Sequence, residues 1–163
     1  MTRTEVNTIK ERLRLLLLKN GCESTQCEYP LQSNAQRHSI CKADVCGFFE
    51  KSDHLCIGEK NKINKGICIE FKSNHTDFNT NYGQNFDFEY NFFCTITNMK
   101  DYALKYIREN YKGCTIGLII YDNNSNQFTT VLPAYLNHLN TNAKNWYEIY
   151  KQTVFNPCII LHE

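Results

Sequence analysis

The sequence predicts an α/β protein, a mixed β-sheet flanked by helices, because two hydrophobic patterns alternate along it. Near the N-terminus, apolar residues recur every three or four positions, which is the period of an amphipathic helix. Short runs rich in Ile, Cys and Phe, such as residues 66–73 and 90–97, are typical of buried strands. Strands that alternate with helical segments favour helices packed in layers on a sheet. The 163 residues fit one domain covering 1–163.

The first half is predicted to contain one helix and three strands. Asn20-Gly21 ends the helix, because Asn and Gly commonly follow the last helical turn. The predicted elements are a helix over 4–19, strands over 27–32, 40–50 and 66–73, a polar loop over 33–39, and turns near 52–53 and 58–65. The second and third strands are predicted to form a hairpin that places Asp44 and Glu70 on neighbouring strands.

The second half is predicted to add further strands and helices to the same sheet. Residues 76–87 are polar and predict a loop that leads into a short helix, with Thr76 or Asp77 as its N-cap. The later predictions are a strand over 90–97, a helix from Asn98 or Asp101 to Tyr111 ended by Gly113, strands over 114–121 and 127–132 around a turn at 122–126, and a helical region from Pro133 to about 153.

Composition excludes few functions. The net charge of +1 carries no global basic signature, so affinity for nucleic acid would have to come from local patches. Nine cysteines are an odd number, and most lie in apolar runs that suit buried thiols in a reducing compartment. The longest apolar run near the N-terminus, 15–18, is too short for a signal peptide or membrane span. We therefore expect a cytoplasmic protein without a membrane partner.

Three charged residues in apolar strands form the candidate site. Residues i and i+2 of a strand point to the same face, so Glu70 and Lys72 are expected side by side. Charges are costly in such strands unless they have partners or a bound metal, and Asp44 lies in a similar strand. Asp44, Glu70 and the Phe71 carbonyl would hold Mg²⁺, while Lys72 would orient water or stabilise charge on a phosphate. This pattern predicts a metal-dependent nuclease; ordinary salt bridges at a sheet edge are the alternative.

The motifs of this region resemble the PD-(D/E)XK nuclease superfamily, and within it the MmcB-type DNA-repair nuclease-like proteins. The resemblance is carried by Lys42-Ala43-Asp44-Val45, Ile69-Glu70-Phe71-Lys72-Ser73 and the step to Asp77-Phe78, and it extends over about residues 26–134. It implies a restriction-endonuclease-like three-layer α/β/α fold, dependence on Mg²⁺ or Mn²⁺, and Asp44, Glu70 and Lys72 as the active trio. The sequence departs from the pattern of these proteins at two places: Lys42 replaces an Arg, and the turn at 36–41 is longer. Both departures concern how the substrate is bound.

Several further residues are assigned supporting roles. Glu28, Glu11 and Gln84 are auxiliary candidates, on the strand before Asp44, on the first helix, and after the Lys72 strand. Glu28 and Glu11 have a simpler interpretation as solvated carboxylates, and Asp77 as a helix cap. The residues expected to contact nucleic acid are Arg37, His38, Lys60, Lys62 and Ser73.

Two other functional classes are compatible with the sequence. The chain could be a non-catalytic module on a nuclease fold that binds nucleic acid or a protein, or a Cys-rich zinc or redox protein. DNA is the expected substrate, in a repair, restriction or defence context. A homodimer would be convenient for cutting both strands, and a partner protein could choose the substrate.

Overall fold

A computed structural model describes residues 1–30, 42–50, 64–80, 88–111, 115–137 and 158–163. The helices are α1 (Arg3–Lys19), α2 (His75–Asn79) and α3 (Lys100–Asn110), the last preceded by a 3-10 turn at Thr97–Met99. The strands are β1 (Ser24–Pro30), β2 (Lys42–Phe48), β3 (Asn64–Phe71), β4 (Phe88–Ile96), β5 (Gly117–Asp122), β6 (Gln127–Leu132), β7 (Ala134–Tyr135) and β8 (Cys158–Ile159). Among these ranges, no helix has both the length and the apolar character needed to cross a membrane.

Six strands form one mixed sheet in the order of the chain, β1-β2-β3-β4-β5-β6. The pairs β3–β4 and β4–β5 are parallel, and the other neighbours are antiparallel. Parallel neighbours require a crossover connection; α2 lies in the segment between β3 and β4, and α3 lies between β4 and β5. The predicted mixed α/β class is therefore confirmed.

Most of the predicted elements are present, with boundaries shifted by a few residues. The predicted helix over 4–19 is α1. A capping box formed by Thr2 and Glu5 begins this helix, and Asn20 is its C-cap. The predicted hairpin is confirmed, because β2 and β3 pair antiparallel with Val45 opposite Ile69. The strand over 127–132 is β6. The loop at 33–39, the turn near 52–53, residues 58–63 of the next turn and the helix end at Gly113 lie outside the described residues. The predicted turn over 58–65 extends too far, because Asn64 and Lys65 already belong to β3.

Two predictions near helix ends are wrong. The N-cap of α2 is Asn74, whose side chain accepts a hydrogen bond from the Asp77 backbone N–H, so that neither Thr76 nor Asp77 is the cap. The helical region predicted from Pro133 does not begin there, because Ala134–Tyr135 is a short strand that pairs with Cys158–Ile159. The rest of that predicted helix, residues 138–157, lies outside the described residues.

Helices cover both faces of the sheet. A Cβ atom added to Gly47 would lie 3.2 Å from Leu17 Cδ1, so the face of β2 that carries Gly47 and Val45 contacts α1. The opposite face carries Phe93 on β4, which pairs with Glu70 on β3. Three aromatic residues pack against Phe93, with ring centroids 5.4–6.1 Å from its own. They come from α2, from α3 and from the residue after α3: Phe78, Tyr106 and Tyr111.

Gly66 is expected to tolerate no side chain, because the two strands of the β2–β3 hairpin approach closely there. A Cβ atom on Gly66 would lie 2.0 Å from the Gly47 carbonyl oxygen, which is backbone and cannot rotate away. We expect Gly66→Ala to lower the free energy of unfolding by about 1–3 kcal/mol, the typical cost of overpacking. Denaturant titration should show a lower midpoint. Lys65→Ala, at the exposed preceding residue, is the control and should change the midpoint little; equal midpoints for the two variants would contradict the prediction.

Candidate functional site

The three predicted site residues meet at one end of the β2–β3 hairpin. Asp44 lies near the start of β2 and Glu70 near the end of β3, and antiparallel pairing brings these two ends together. Val45 pairs with Ile69, so Asp44 is level with Glu70. Lys72 follows β3 directly, two residues after Glu70. This end is also the carboxyl end of the parallel pair β3–β4, the edge at which open α/β sheets bind ligands.

The Glu70 carboxyl group is almost completely removed from water, since Glu70 is 2% exposed. Burial raises its pKa well above 4.5, and the neighbouring Asp44 carboxylate raises it further, while the positive charge of Lys72 opposes both effects. A hydrogen bond with the Asp44 side chain also favours the protonated form of Glu70 and so contributes to its raised pKa. Two carboxyl groups in contact cannot both ionise cheaply. Glu70 therefore favours its protonated form, or a nearby cation that compensates its charge.

Strand β4 fixes the backbone of Lys72. The Lys72 N–H donates to the Cys94 carbonyl at 2.9 Å, and the Lys72 carbonyl accepts from Thr95 Oγ1 at 2.6 Å. Lys72 is 6% exposed and its charge acts on Glu70. An ammonium group on a buried, anchored backbone can interact with the Glu70 carboxylate or with an anion bound beside it.

Asp44 has a separate partner for each carboxylate oxygen. Oδ2 accepts from the Phe71 backbone N–H at 2.9 Å, which ties the side chain of β2 to the end of β3. Oδ1 lies 2.5 Å from Lys10 Nζ, which comes from α1. The same Lys10 ammonium lies 2.6 Å from Glu28 Oε1 on β1. Elements α1, β1, β2 and β3 thus each contribute a group to one polar cluster.

The Phe71 carbonyl was predicted as a third metal ligand, and the backbone geometry is compatible with that role. In a strand, the N–H and C=O of one residue point to the same neighbouring strand. The Phe71 N–H reaches Asp44, whereas both backbone groups of Lys72 bond to β4. The Phe71 carbonyl is therefore expected on the Asp44 side of β3, and its role as a ligand stays a prediction.

The two acidic auxiliary candidates in the described residues have different surroundings. Glu11 forms an ion pair with Arg14 at 2.5 Å on the exposed side of α1, which agrees with its simpler interpretation. Glu28 shares Lys10 with Asp44 and has an unusual left-handed backbone at φ 53°. Non-glycine residues seldom adopt this conformation. Glu28 thus joins the cluster through Lys10.

Two residues that bear on the site were not predicted from the sequence. Lys10 was assigned no role, although it is the α1 residue that contacts Asp44. Tyr111 follows α3, and its pKa is raised by burial, then by Tyr106 and by the negative charge of Glu70. No local sequence pattern indicates a role for Tyr111. The influence of Glu70 on Tyr111 depends on how the segment after α3 packs on the sheet. The sequence indicates which face of α1 is polar, but it does not indicate which residues of that face contact the sheet.

The predicted nucleic-acid contacts are mostly outside the described residues. Arg37, His38, Lys60, Lys62 and the auxiliary Gln84 all lie there. Ser73 is described, and its hydroxyl donates to Asp77 Oδ2 at 2.7 Å while Asn74 Nδ2 donates to that hydroxyl. Asp77 also accepts from the Ser73 N–H, so these residues stabilise the start of α2. A contact between Ser73 and nucleic acid stays a prediction.

The described cysteines behave mainly as small core residues. Cys22, Cys46, Cys68 and Cys94 are buried, whereas Cys158, in another apolar run, is exposed. Burial raises the pKa of Cys22 to about 11 and also raises the pKa of Cys46 and Cys94. A thiol with a raised pKa is a poor nucleophile and a poor metal ligand at neutral pH. These buried thiols therefore do not favour the zinc or redox alternative.

A divalent cation fits the Asp44–Glu70 pair on chemical grounds. Within the described ranges, no group of three or more His, Cys, Asp and Glu side chains is arranged to hold a metal ion. Mg²⁺ does not require such a group, because it is commonly held by one or two carboxylates and completes its shell with water and substrate phosphate. Burial and the neighbouring Asp44 raise the pKa of Glu70, so a cation bound between the two carboxyl groups would stabilise the ionised form of Glu70.

Comparison with protein-family models, curated proteins and solved structures gives no match to this chain.

Proposed function

We propose that this chain is a metal-dependent nuclease of the PD-(D/E)XK type that hydrolyses DNA phosphodiester bonds. The observation that carries the proposal is the meeting of Asp44, Glu70 and Lys72 at one end of adjoining strands, with Glu70 and Lys72 buried. A mixed sheet with helices on both faces agrees with the restriction-endonuclease-like three-layer fold that these motifs imply. Buried charges held this close together are costly, and a catalytic role explains why they are present.

Each residue of the trio has a distinct task in the proposed reaction. Asp44, Glu70 and the Phe71 carbonyl would hold Mg²⁺ or Mn²⁺, which supplies Lewis-acid polarisation of a phosphate and a water when bound. The Phe71 N–H orients the Asp44 carboxylate through its hydrogen bond to Oδ2. Lys72, with its backbone fixed by β4, would donate hydrogen bonds to the phosphate where negative charge increases during the reaction.

A cleavage screen with labelled substrates tests the proposal. Purified chain is incubated with duplex, single-stranded and branched DNA and with RNA, in Mg²⁺, Mn²⁺ or EDTA. We expect DNA cleavage that requires the metal and falls below detection in Asp44→Asn, which retains the shape of the side chain but not its charge. Far-ultraviolet circular dichroism verifies that the variant is folded. Cleavage that persists in EDTA, or equally in Asp44→Asn, would refute the proposal.

The same screen addresses the non-catalytic alternative. A chain that binds DNA in a gel-shift assay but cuts none of the substrates in either metal would be a binding module, and the nuclease proposal would be wrong.

A further inference from the structure

The ammonium group of Lys10 occupies a position between two carboxylates. Its Nζ atom lies 2.5 Å from Asp44 Oδ1 and 2.6 Å from Glu28 Oε1, and the Lys10 side chain is only 14% exposed. An exposed surface ion pair contributes little and needs no explanation. A largely buried lysine from α1 that joins carboxylates of β1 and β2 beside the candidate metal site is a different case.

We propose that the Lys10 ammonium takes the place of a second divalent cation, so that the site accepts one metal ion where its carboxylates would otherwise hold two. The inference rests on the proposed function, since it takes Asp44 and Glu70 as the ligands of the first ion. It assigns to Lys10 a role that neither the sequence motifs nor the active trio include.

The two oxygens of Asp44 serve two separate positions. Oδ2 faces the end of β3, where it accepts from the Phe71 N–H and where Glu70 is level with Asp44. Oδ1 faces Lys10 and Glu28. A carboxylate whose two oxygens face different positions can bind one cation at each position. This arrangement occurs in phosphodiester-cleaving sites with two metal ions about 3.5–4 Å apart. In this chain, the second side holds an ammonium group.

The position of the Lys10 ammonium group also has the ligands that a divalent cation needs. Carboxylate oxygens from Asp44 and Glu28 converge on one point, and oxygen donors are what Mg²⁺ and Mn²⁺ prefer. The fixed positive charge of Lys10 at that point would repel a second divalent ion. Without Lys10, two carboxylates would face each other with no cation between them.

Titration of Mn²⁺ by isothermal calorimetry tests the inference, because the stoichiometry does not depend on activity. We expect one Mn²⁺ per wild-type chain and two per Lys10→Met chain, whose side chain keeps the apolar stem. The double variant Lys10→Met/Glu28→Gln should return to one, because the second position loses a carboxylate. Arg14→Met is the matched control: it removes the same charge one turn further along α1, where the partner is Glu11, and should keep a stoichiometry of one.

The outcomes separate this inference from the proposed function. A wild-type chain that binds no Mn²⁺ contradicts the metal site itself. One ion in both the wild type and Lys10→Met, or two ions in the wild type, overturns the role of Lys10 and leaves the nuclease proposal in place. Thermal unfolding monitors whether Lys10→Met is folded, and Lys10→Gln, which is neutral but polar, gives a second reading of the same stoichiometry should the methionine variant aggregate.

Discussion

Replacing Lys72 with methionine is expected to reduce DNA cleavage by about 10²–10³-fold or more, the cost of losing one donor aimed at charge that develops in a transition state. The variant removes the ammonium group but keeps a long, flexible side chain in a position that is 6% exposed. The backbone hydrogen bonds that fix residue 72 to Cys94 and Thr95 do not involve the side chain and should persist.

Binding of Mn²⁺ should not decrease in the same variant. The charge of Lys72 acts on Glu70, so its removal takes one positive charge away from the proposed metal ligands. Loss of cleavage with retained or tighter Mn²⁺ binding would therefore distinguish a role in the reaction from a role in folding. Lys65→Met, at an exposed lysine near the start of β3, is the control and should cleave like the wild type. Cleavage by Lys72→Met above about one tenth of the wild-type rate would refute the assignment, since the expected loss is at least about 10²-fold.

The meeting of Asp44, Glu70 and Lys72 could be predicted from the sequence, because it follows from strand geometry. A period of two places Glu70 beside Lys72, and a hairpin between the two apolar runs brings Asp44 level with them. Lys10 could not be predicted in the same way. Adjacent helical residues differ by about 100° around the axis, so whether Lys10 or Glu11 reaches the sheet depends on the rotation of α1, which its tertiary packing sets. The hydrophobic face of α1 restricts that rotation, but it does not determine whether Lys10 or Glu11 contacts the sheet.

The incorrect prediction after Pro133 has a related cause. Proline is common at the first position of a helix, and the residues that follow are compatible with one. The structure instead pairs Ala134 with Ile159 and Tyr135 with Cys158. A two-residue strand gains its hydrogen bonds from a distant segment of the chain, so its stability depends on a non-local contact that no local pattern contains.

The Glu70→Gln variant is expected to abolish metal-dependent cleavage and, in metal-free buffer, to be more stable than the wild type. Glutamine has nearly the shape of a protonated glutamate but cannot ionise, so it supplies no charge to hold the metal. In EDTA, the wild-type protein must either bury the Glu70 carboxylate beside Asp44 or keep it protonated, and both are unfavourable at neutral pH. We expect the melting temperature of the variant to exceed that of the wild type by at least about 2 °C, which for a chain of this size corresponds to about 1 kcal/mol.

The stability difference should depend on pH with a defined sign. The pKa of Glu70 is raised in the folded state above its ordinary value of 4.5, so between these two values the folded state binds more protons than the unfolded state. The contribution of protonated Glu70 to stability is fully present below the unfolded pKa, and it is lost as the pH rises towards and through the folded pKa. Glutamine does not titrate, so the advantage of Glu70→Gln should be small at pH values below 4.5 and should grow as the pH rises above it.

Differential scanning fluorimetry in EDTA across that pH range measures this dependence. Added Mn²⁺ should raise the melting temperature of the wild type but not that of Glu70→Gln, because a ligand that binds only the folded state stabilises it by mass action. Asp77→Asn is a suitable control: it also neutralises a carboxylate near the end of β3, but one that is hydrogen-bonded to Ser73 and Asn74 at the start of α2. Its melting temperature should still rise with Mn²⁺. If Glu70→Gln is instead less stable than the wild type at every pH, Glu70 stabilises the fold, and the cost that a metal ion is proposed to relieve does not exist.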